Sequence, residues 1–375
     1  MGSPDPQGPA YSSALAGADA VRRGATKDHI FAEFFKTKES GSAPQPDFKT
    51  AASRTDQLIR RQLSLTSKPS PATPHRELLK YRAHAPQLDP PAIMTPTPVF
   101  TLNDGTKISS VLYGSYKSAG DLGVKAMKYA LDEAHYGGID TASFYGNHDE
   151  VKKAIEVSET PRDQIILQTK LWPTQMRDPA GHVDKFVEEL GTYIDVLLIH
   201  WPWPLKEGKE LDKDWDFVKT WKLMEKLPKS KVRSIGVSNF RKQDLEKLLA
   251  ETDVVPVVNQ CEFHPELPQP ELVDFCLKHK IIPQAYRPLA RGAVDVPEIN
   301  QLAKKYSCDA GQIALSWNIK RGVIVLPKST TESRIKSNNT FIDLTDEDMK
   351  VLEPLGLKKN RTCGSMGNYG FEYFD

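Results

Sequence analysis

Four side chains that can transfer or stabilise a proton follow three short apolar runs of the sequence. They are Asp140, Tyr145, Lys170 and His200, in the stretches YGGIDTASFYGN, IILQTK and DVLLIH. A phenol with a pKa of ~10 is a poor proton donor near neutral pH. A neighbouring ammonium lowers that pKa, and a carboxylate keeps the ammonium charged and oriented. The pattern predicts that Lys170, held by Asp140, acts on Tyr145, so that the phenol can protonate a carbonyl oxygen.

In the same hypothesis, His200 positions the substrate oxygen through a hydrogen bond. The set has no source of electrons, so a cofactor must supply a hydride. Further polar side chains end the later apolar runs: Ser238, Asn239, Gln260, Tyr286 and Lys328. Each alone has an ordinary explanation, since a lysine at the end of a strand is usually solvated and a histidine there usually has a core partner. Their shared position predicts a single site.

Eight apolar runs of strand type carry these residues, and helical patterns lie between them. The runs are SSVLYGS, YGGIDTA, IILQTK, DVLLIH, RSIGVSN, PVVNQ, IIPQAY and GVIVLPKS. Eight strands alternating with helices is the α/β pattern of a closed (β/α)8 TIM barrel, whose catalytic groups lie at the carboxyl ends of the strands. An open doubly wound sheet usually has fewer strands, and no glycine-rich dinucleotide turn follows the first run. The stretch VFTLNDGTKIS, residues 99–109, predicts a β-hairpin cap before the barrel.

Residues 1–93 differ in composition from residues 94–375. Prolines are scattered through GSPDPQGP, SAPQPDF, KPSPATPH and LDPPAIMTPTP, and sustained apolar periodicity is missing. Such a stretch cannot bury enough apolar surface to offset its ordering entropy. We therefore expect a largely disordered, low-complexity extension, followed by a barrel domain with a C-terminal substrate loop. Met94 also fits an alternative start of the chain.

Composition and charge argue against several classes of partner. The 50 basic and 49 acidic residues give a net charge of +1, so no overall field favours nucleic acid or an anionic membrane. No apolar run approaches the ~20 residues that cross a bilayer, and the N-terminus lacks the apolar core of a signal peptide. The four cysteines have neither metal-site nor paired spacing, as expected of reduced thiols. These features predict a cytoplasmic protein that binds no metal, and the lack of heptads favours a monomer.

The chain resembles the aldo-keto reductase superfamily over nearly all of residues 96–355. The matching stretches, in the family's order, are GIDTASFYGN, QTKLW, YIDVLLIHWP, SIGVSNF, VVNQCEFHP, AYRPL and VLPKSTTESRIKSN. The resemblance implies a catalytic tetrad of Asp140, Tyr145, Lys170 and His200. It also implies hydride transfer between NADPH/NADP+ and an aldehyde or ketone, with Tyr145 as the proton donor.

The resemblance also implies a set of cofactor contacts. The nicotinamide would be held by Ser238, Asn239, Gln260 and Tyr286, the last of which stacks on the ring. The adenosine end would contact Lys328, Ser329 and Arg334 at the 2′-phosphate and Asn338 near the adenine, and Arg287 and Leu289 complete the set. A lysine point charge and a planar arginine fork suit one phosphate, so NADPH is expected over NADH. Arg287 stands where the family usually has serine.

Trp172 and Trp201 directly follow two of the tetrad strands and are expected, with His200, to line the substrate pocket. Trp203 lies close by in the sequence. Large aromatic walls suit apolar or aromatic carbonyl compounds and exclude water from the path of the hydride. The sequence leaves open whether the small-molecule substrate is a sugar aldehyde, an aliphatic aldehyde, a ketosteroid or another ketone.

Two other functions fit the sequence less well. A nucleotide-binding redox-sensing or scaffold subunit with the same fold would act through a partner, and the proline-rich extension is the feature that favours it. A hydrolase barrel would need a Ser-His-acid set or a metal cluster, and neither is found among the predicted strand ends.

Overall fold

The structure, a computed structural model, describes residues 93–94, 98–292 and 294–364. All described residues belong to the unit Pro86–Asp375. The predicted extension therefore lies outside the described residues except for Ile93. The aromatic end of the chain, after residue 364, lies outside them as well.

Two antiparallel strand pairs accompany the barrel. Strand β1 (Ile93–Met94) pairs with β12 (Phe341–Ile342). Strands β2 (Val99–Thr101) and β3 (Lys107–Ser109) form the predicted hairpin. Gly105 adopts a φ of +91° in its turn, a conformation that glycine accepts at little cost.

Eight parallel strands form the barrel in the order in which they occur in the chain. They are β4 (Tyr113–Gly114), β5 (Gly138–Asp140), β6 (Ile166–Leu171), β7 (Ile194–Ile199), β8 (Val232–Ser238), β9 (Val258–Glu262), β10 (Ile282–Tyr286) and β11 (Ile324–Leu326). Each lies within one of the eight predicted runs or within a residue or two of it. The predicted TIM barrel is thus confirmed.

The barrel closes between its first and last strands. The Leu112 N–H donates to the carbonyl of Val325 at 3.1 Å, and the Gly114 N–H donates to the carbonyl of Pro327 at 3.1 Å. A Cβ atom on Gly114 would lie 2.8 Å from the Leu326 carbonyl oxygen. Glycine is therefore required at the point where the two strands approach each other.

Ten α-helices lie among the described residues. They are α1 (Gly120–Asp132), α2 (His148–Glu156), α3 (Pro179–Leu190), α4 (Phe217–Met224), α5 (Lys242–Glu251), α6 (Pro270–Lys278), α7 (Pro297–Tyr306), α8 (Ala310–Lys320), α9 (Glu332–Ser337) and α10 (Asp346–Leu352). Helix α3 shows why such segments begin and end where they do. Asp178 accepts from the Gly181 N–H at 3.0 Å, Pro179 occupies the first turn, and Gly191 ends the helix with a φ of +66°.

Apolar side chains of the barrel strands contribute to two hydrophobic clusters. Strand β7 is buried throughout, and its side chains alternate between these clusters. Val196 and Leu198 pack with Ile324 and with the hairpin, whereas Leu197 and Ile199 belong to the larger cluster that includes the helices. None of the described helices is both long and apolar enough to span a membrane.

Candidate active site

Asp140 and Lys170 form a buried ion pair at the carboxyl ends of β5 and β6. Asp140 is 3% exposed and Lys170 is fully buried. The Lys170 amine donates to the two Asp140 carboxylate oxygens at 2.8 and 2.7 Å and to the Thr141 carbonyl at 2.7 Å. All three ammonium hydrogens can therefore be satisfied, which fixes the direction of the amine.

Three glutamines that the sequence reasoning did not single out as a group form a hydrogen-bond network that ends on the same carboxylate. Gln168 and Gln260 donate to Asp140 Oδ1 at 2.6 and 2.9 Å, and both donate to Gln284 Oε1. The signal was present in the sequence, because a glutamine within an apolar strand is rare unless its amide has partners. The network holds Asp140 in place within the barrel.

Tyr145 lies above this pair on a short 3₁₀ turn, Ser143–Tyr145, that ends at Gly146 with a φ of +62°. Its hydroxyl oxygen is 3.5 Å from the Lys170 amine. Burial raises the pKa of Tyr145 well above its usual value, and the negative charge of Asp140 raises it further, while Arg287 opposes the shift. The expected lowering of this pKa is therefore not found, because the loss of solvation on burial is the largest effect on it.

His200 follows β7 and is 8% exposed. Its Nδ1 atom is buried without a hydrogen-bond partner in the described part of the chain. Burial lowers the pKa of His200 well below its usual value, and the Lys170 cation acts in the same direction. The imidazole is therefore neutral at physiological pH and can donate one N–H.

Aromatic rings surround the imidazole of His200. The rings of Trp172 and Tyr145 lie edge-on to it at 5.1 and 5.9 Å, and the Trp201 ring lies nearly parallel at 6.4 Å. Trp201 is only 2% exposed and packs against Trp203 and Leu205, whereas Trp172 keeps part of its surface open. The role of Trp201 in the pocket accordingly stays a prediction.

Two further aromatic residues, absent from the sequence prediction, complete this surface. Phe144 is 49% exposed and stacks on Trp172 with ring centres 4.0 Å apart. Tyr116 is 44% exposed, and its ring lies 5.0 Å from that of Tyr145. Half-exposed aromatic rings beside a buried polar group are typical of the lining of an apolar ligand pocket.

The residues expected to hold the nicotinamide lie together at the ends of β8, β9 and β10. The Tyr286 hydroxyl donates to Asn239 Oδ1 at 2.9 Å, and the Asn239 amide donates to the His200 carbonyl at 2.9 Å. Ser238 Oγ donates to the Gln260 carbonyl at 2.8 Å. Asn239 has a φ of +63°, a backbone conformation that asparagine tolerates better than most residues. These bonds connect the predicted nicotinamide site directly to His200.

The residues expected at the adenosine end show two kinds of environment. Lys328 and Arg334 are exposed, and neither forms an ion pair with a carboxylate in the described residues, so a phosphate would meet two free cations. Ser329 lies beside them, and its carbonyl accepts from Tyr113 at 2.7 Å.

Asn338, expected near the adenine, is buried, and its side chain hydrogen-bonds to Tyr136. Asn338 and Leu289 approach the same point beside Gly311, within 3.9 and 3.6 Å of a Cβ built there. The two cations, Lys328 and Arg334, fit the 2′-phosphate of NADPH.

Arg287 has a partner that sequence reasoning did not foresee. It has a φ of +48°, and its Nη1 donates to the carbonyl and, at 3.2 Å, to the hydroxyl of Thr362. The expected cofactor residue thus contacts the segment that follows α10. No cluster of three metal-binding side chains occurs in the described ranges.

Comparisons with known proteins agree with this geometry. The sequence matches the model of the aldo/keto reductase family over residues 115–356. It is 36% identical over 293 residues to the aldehyde reductase YPR1 of Saccharomyces cerevisiae, a match that covers 71% of this chain and 93% of that protein. It is 39% identical over 275 residues to the D-galacturonate reductase of Hypocrea jecorina, and this match covers 68% of this chain and 88% of that protein. The structure resembles that of a Bombyx mori aldo-keto reductase in complex with NADP, with a TM-score of 0.69, 31% identity, and 75% of this chain and 99% of that chain covered.

Proposed function

This chain belongs to the aldo/keto reductase family, and we propose that it reduces an aldehyde or ketone to the alcohol with NADPH, using Tyr145 as the proton donor. The observation that carries the proposal is the chain of contacts from Asp140 through Lys170 to Tyr145 at the mouth of the barrel. Asp140 holds the Lys170 amine at 2.7 Å, and the same amine lies 3.5 Å from the Tyr145 hydroxyl.

NADPH, when bound, supplies the hydride that reduces the carbonyl carbon. Tyr145 keeps its proton in the resting site because burial raises its pKa. As negative charge grows on the substrate oxygen, that oxygen takes the proton, and the Lys170 cation stabilises the phenolate left behind. Lys170 thus acts on the transition state more than on the resting phenol.

His200 holds the substrate oxygen in this proposal. A neutral imidazole can donate a hydrogen bond to a carbonyl oxygen without adding a second buried charge beside Lys170. The rings around it exclude water, which strengthens the hydrogen bonds to the developing oxyanion.

Lys328 and Arg334 are the groups that favour NADPH over NADH. Both are exposed cations without an acidic partner in the residues described, and a 2′-phosphate would give them one. The NADP in the Bombyx mori structure supports the same cofactor, and the names of the yeast and Hypocrea relatives support carbonyl reduction.

The test is a turnover assay with purified full-length protein, NADPH and a panel of carbonyl compounds. The panel contains propanal, glyceraldehyde, galacturonate and 4-nitrobenzaldehyde, and the loss of nicotinamide absorbance reports the reaction. Cofactor binding is measured separately by the quenching of protein fluorescence. Tight NADPH binding with no turnover of any member would contradict the proposal.

A further inference from the structure

The segment that follows α10 is fastened to the barrel mouth by a buried carboxylate. Glu262, the last residue of β9, is fully buried. It accepts from the Thr362 N–H at 2.8 Å, the Thr362 hydroxyl at 2.5 Å, the Cys363 N–H at 2.9 Å and His264 Nε2 at 3.1 Å. Burial alone would raise the pKa of Glu262, but these donors outweigh it and lower the pKa, so the carboxylate is ionised.

Arg287 also holds the same threonine. Its guanidinium donates to the Thr362 carbonyl, while Glu262 receives the Thr362 N–H and hydroxyl. Thr362 is thus bound through its amide, its carbonyl and its side chain. Glu262 and Tyr286 are register partners in the parallel pair of β9 and β10, and Arg287 directly follows Tyr286. The two holding groups therefore start from neighbouring strand ends.

This attachment brings the chain to the reacting groups. Cys363 is buried, and its side chain hydrogen-bonds to the Tyr286 hydroxyl. Both Cys363 and Arg287 are close enough to Tyr145 to act on its ionisation, in opposite directions. Cys363 consequently lies beside Tyr286, and Thr362 directly precedes it in the chain.

The attachment of Thr362 and Cys363 uses two features that each cost free energy of folding. A buried carboxylate loses its hydration and must recover it from protein donors. Arg287 meanwhile holds a left-handed backbone conformation immediately before Pro288, where an extended one is preferred. An apolar contact would hold a chain end without either cost. Such costs are met most often at sites that need a fixed geometry.

We propose that Glu262 and Arg287 are positioning residues that fix Thr362 and Cys363 as a wall of the carbonyl pocket and so determine which aldehydes fit. The inference rests on the proposed function and deepens it. A fixed wall pre-organises the pocket for a flat, bulky substrate such as a benzaldehyde, which touches the wall. A small aldehyde such as propanal makes fewer contacts there and depends on it less.

The test compares Glu262→Gln and Thr362→Val with wild-type protein. Glu262→Gln keeps the shape of the side chain but removes its charge. Thr362→Val replaces the hydroxyl with a methyl group of similar size and is the milder change. Hydrogen exchange of the Thr362 and Cys363 amides should become faster in Glu262→Gln, because their acceptor is weakened. The ratio of kcat/KM for 4-nitrobenzaldehyde to that for propanal should fall about tenfold in Glu262→Gln and less in Thr362→Val, chiefly through KM.

Asp195→Asn is the matched control, because it alters a buried carboxylate at the opposite end of the barrel. A merely structural Glu262 would behave like this control, with lower stability and an unchanged substrate ratio. Faster amide exchange at Thr362 and Cys363 with an unchanged ratio would overturn the inference while leaving the proposed function intact. A wild-type protein that reduces neither aldehyde would instead overturn the proposed function and the inference with it.

Discussion

The Lys170 amine lies 2.7 Å from Asp140 Oδ2 but 3.5 Å from the Tyr145 hydroxyl. The cation is thus neutralised by one partner and only approached by the other. A phenol in this position keeps its proton until a stronger base forms beside it, and a developing alkoxide is such a base.

Replacing Tyr145 with Phe removes the proposed proton donor and little else, since the ring and its packing on Tyr116 remain. We expect kcat to fall about 10²- to 10⁴-fold, the usual contribution of a positioned general acid. The dissociation constant for NADPH, measured by fluorescence quenching, should change less than twofold. A variant that still reduces 4-nitrobenzaldehyde at near the wild-type rate would show that another group donates the proton.

The lowered pKa of His200 leads to a prediction for the pH dependence of kcat/KM. Because burial and Lys170 lower this pKa, the imidazole is neutral through the whole range above it. The profile of kcat/KM should therefore show no inflection from His200 between pH 6 and 8. An inflection near pH 6.5 that disappears in His200→Gln would mean that this imidazole titrates in the working range.

Lys328→Ala tests the choice of cofactor. The side chain is exposed and has no carboxylate partner in the described chain, so its loss should cost little stability. It should weaken NADPH binding about 10- to 100-fold, as expected for the loss of one charge-assisted contact, and leave NADH binding nearly unchanged. Lys336→Ala, an exposed lysine on α9, is the control. Equal losses for the two cofactors would place the 2′-phosphate elsewhere.

Asp195 serves stability at the end of the barrel opposite to the site. It is 3% exposed and accepts from Arg162 at 2.8 Å, Arg233 at 3.3 Å and the Leu167 N–H at 3.0 Å. Asp195→Asn keeps the shape but removes the charge, and we expect the free energy of unfolding to fall by about 1–3 kcal/mol. Urea unfolding measures this change, and kcat should not move. A variant as stable as the wild type would show that the two arginines are equally well solvated without the carboxylate.

The elements were easier to predict from the sequence than the contacts between them. Strands such as DVLLIH are buried on both faces, so their apolar runs are continuous and unmistakable. The positions of Asp140, Lys170 and His200 at the ends of strands could be predicted because each ends one of these runs, whereas Tyr145 lies on the turn that follows β5. The stacking of Phe144 on Trp172 and the attachment of Thr362 to Glu262 join residues far apart in the chain, and no local pattern encodes them. The direction of the Tyr145 pKa shift depends on burial, which strand patterns do not report.

Asp132, at the end of α1, makes stability depend on pH. Its carboxylate accepts from the Thr160 N–H at 3.2 Å, the Glu159 N–H at 3.1 Å and the Lys128 amine at 2.5 Å. Burial raises its pKa, but these bonds and that from Ser158 outweigh burial and lower the pKa well below the model-compound value of 3.8.

A carboxylate with a lowered folded-state pKa stabilises the protein above its unfolded-state pKa, and the stabilisation is lost as pH falls through the folded-state value. Asp132→Asn should therefore cost about 1–3 kcal/mol at pH 7, and the difference from wild type should shrink below about pH 4. Urea unfolding between pH 3 and 7 measures it. Asp163→Asn is the control, because that carboxylate is exposed and its replacement should change the free energy of unfolding little. A difference that stays constant down to pH 3 would mean that the charge of Asp132 is not what holds the residues around Thr160.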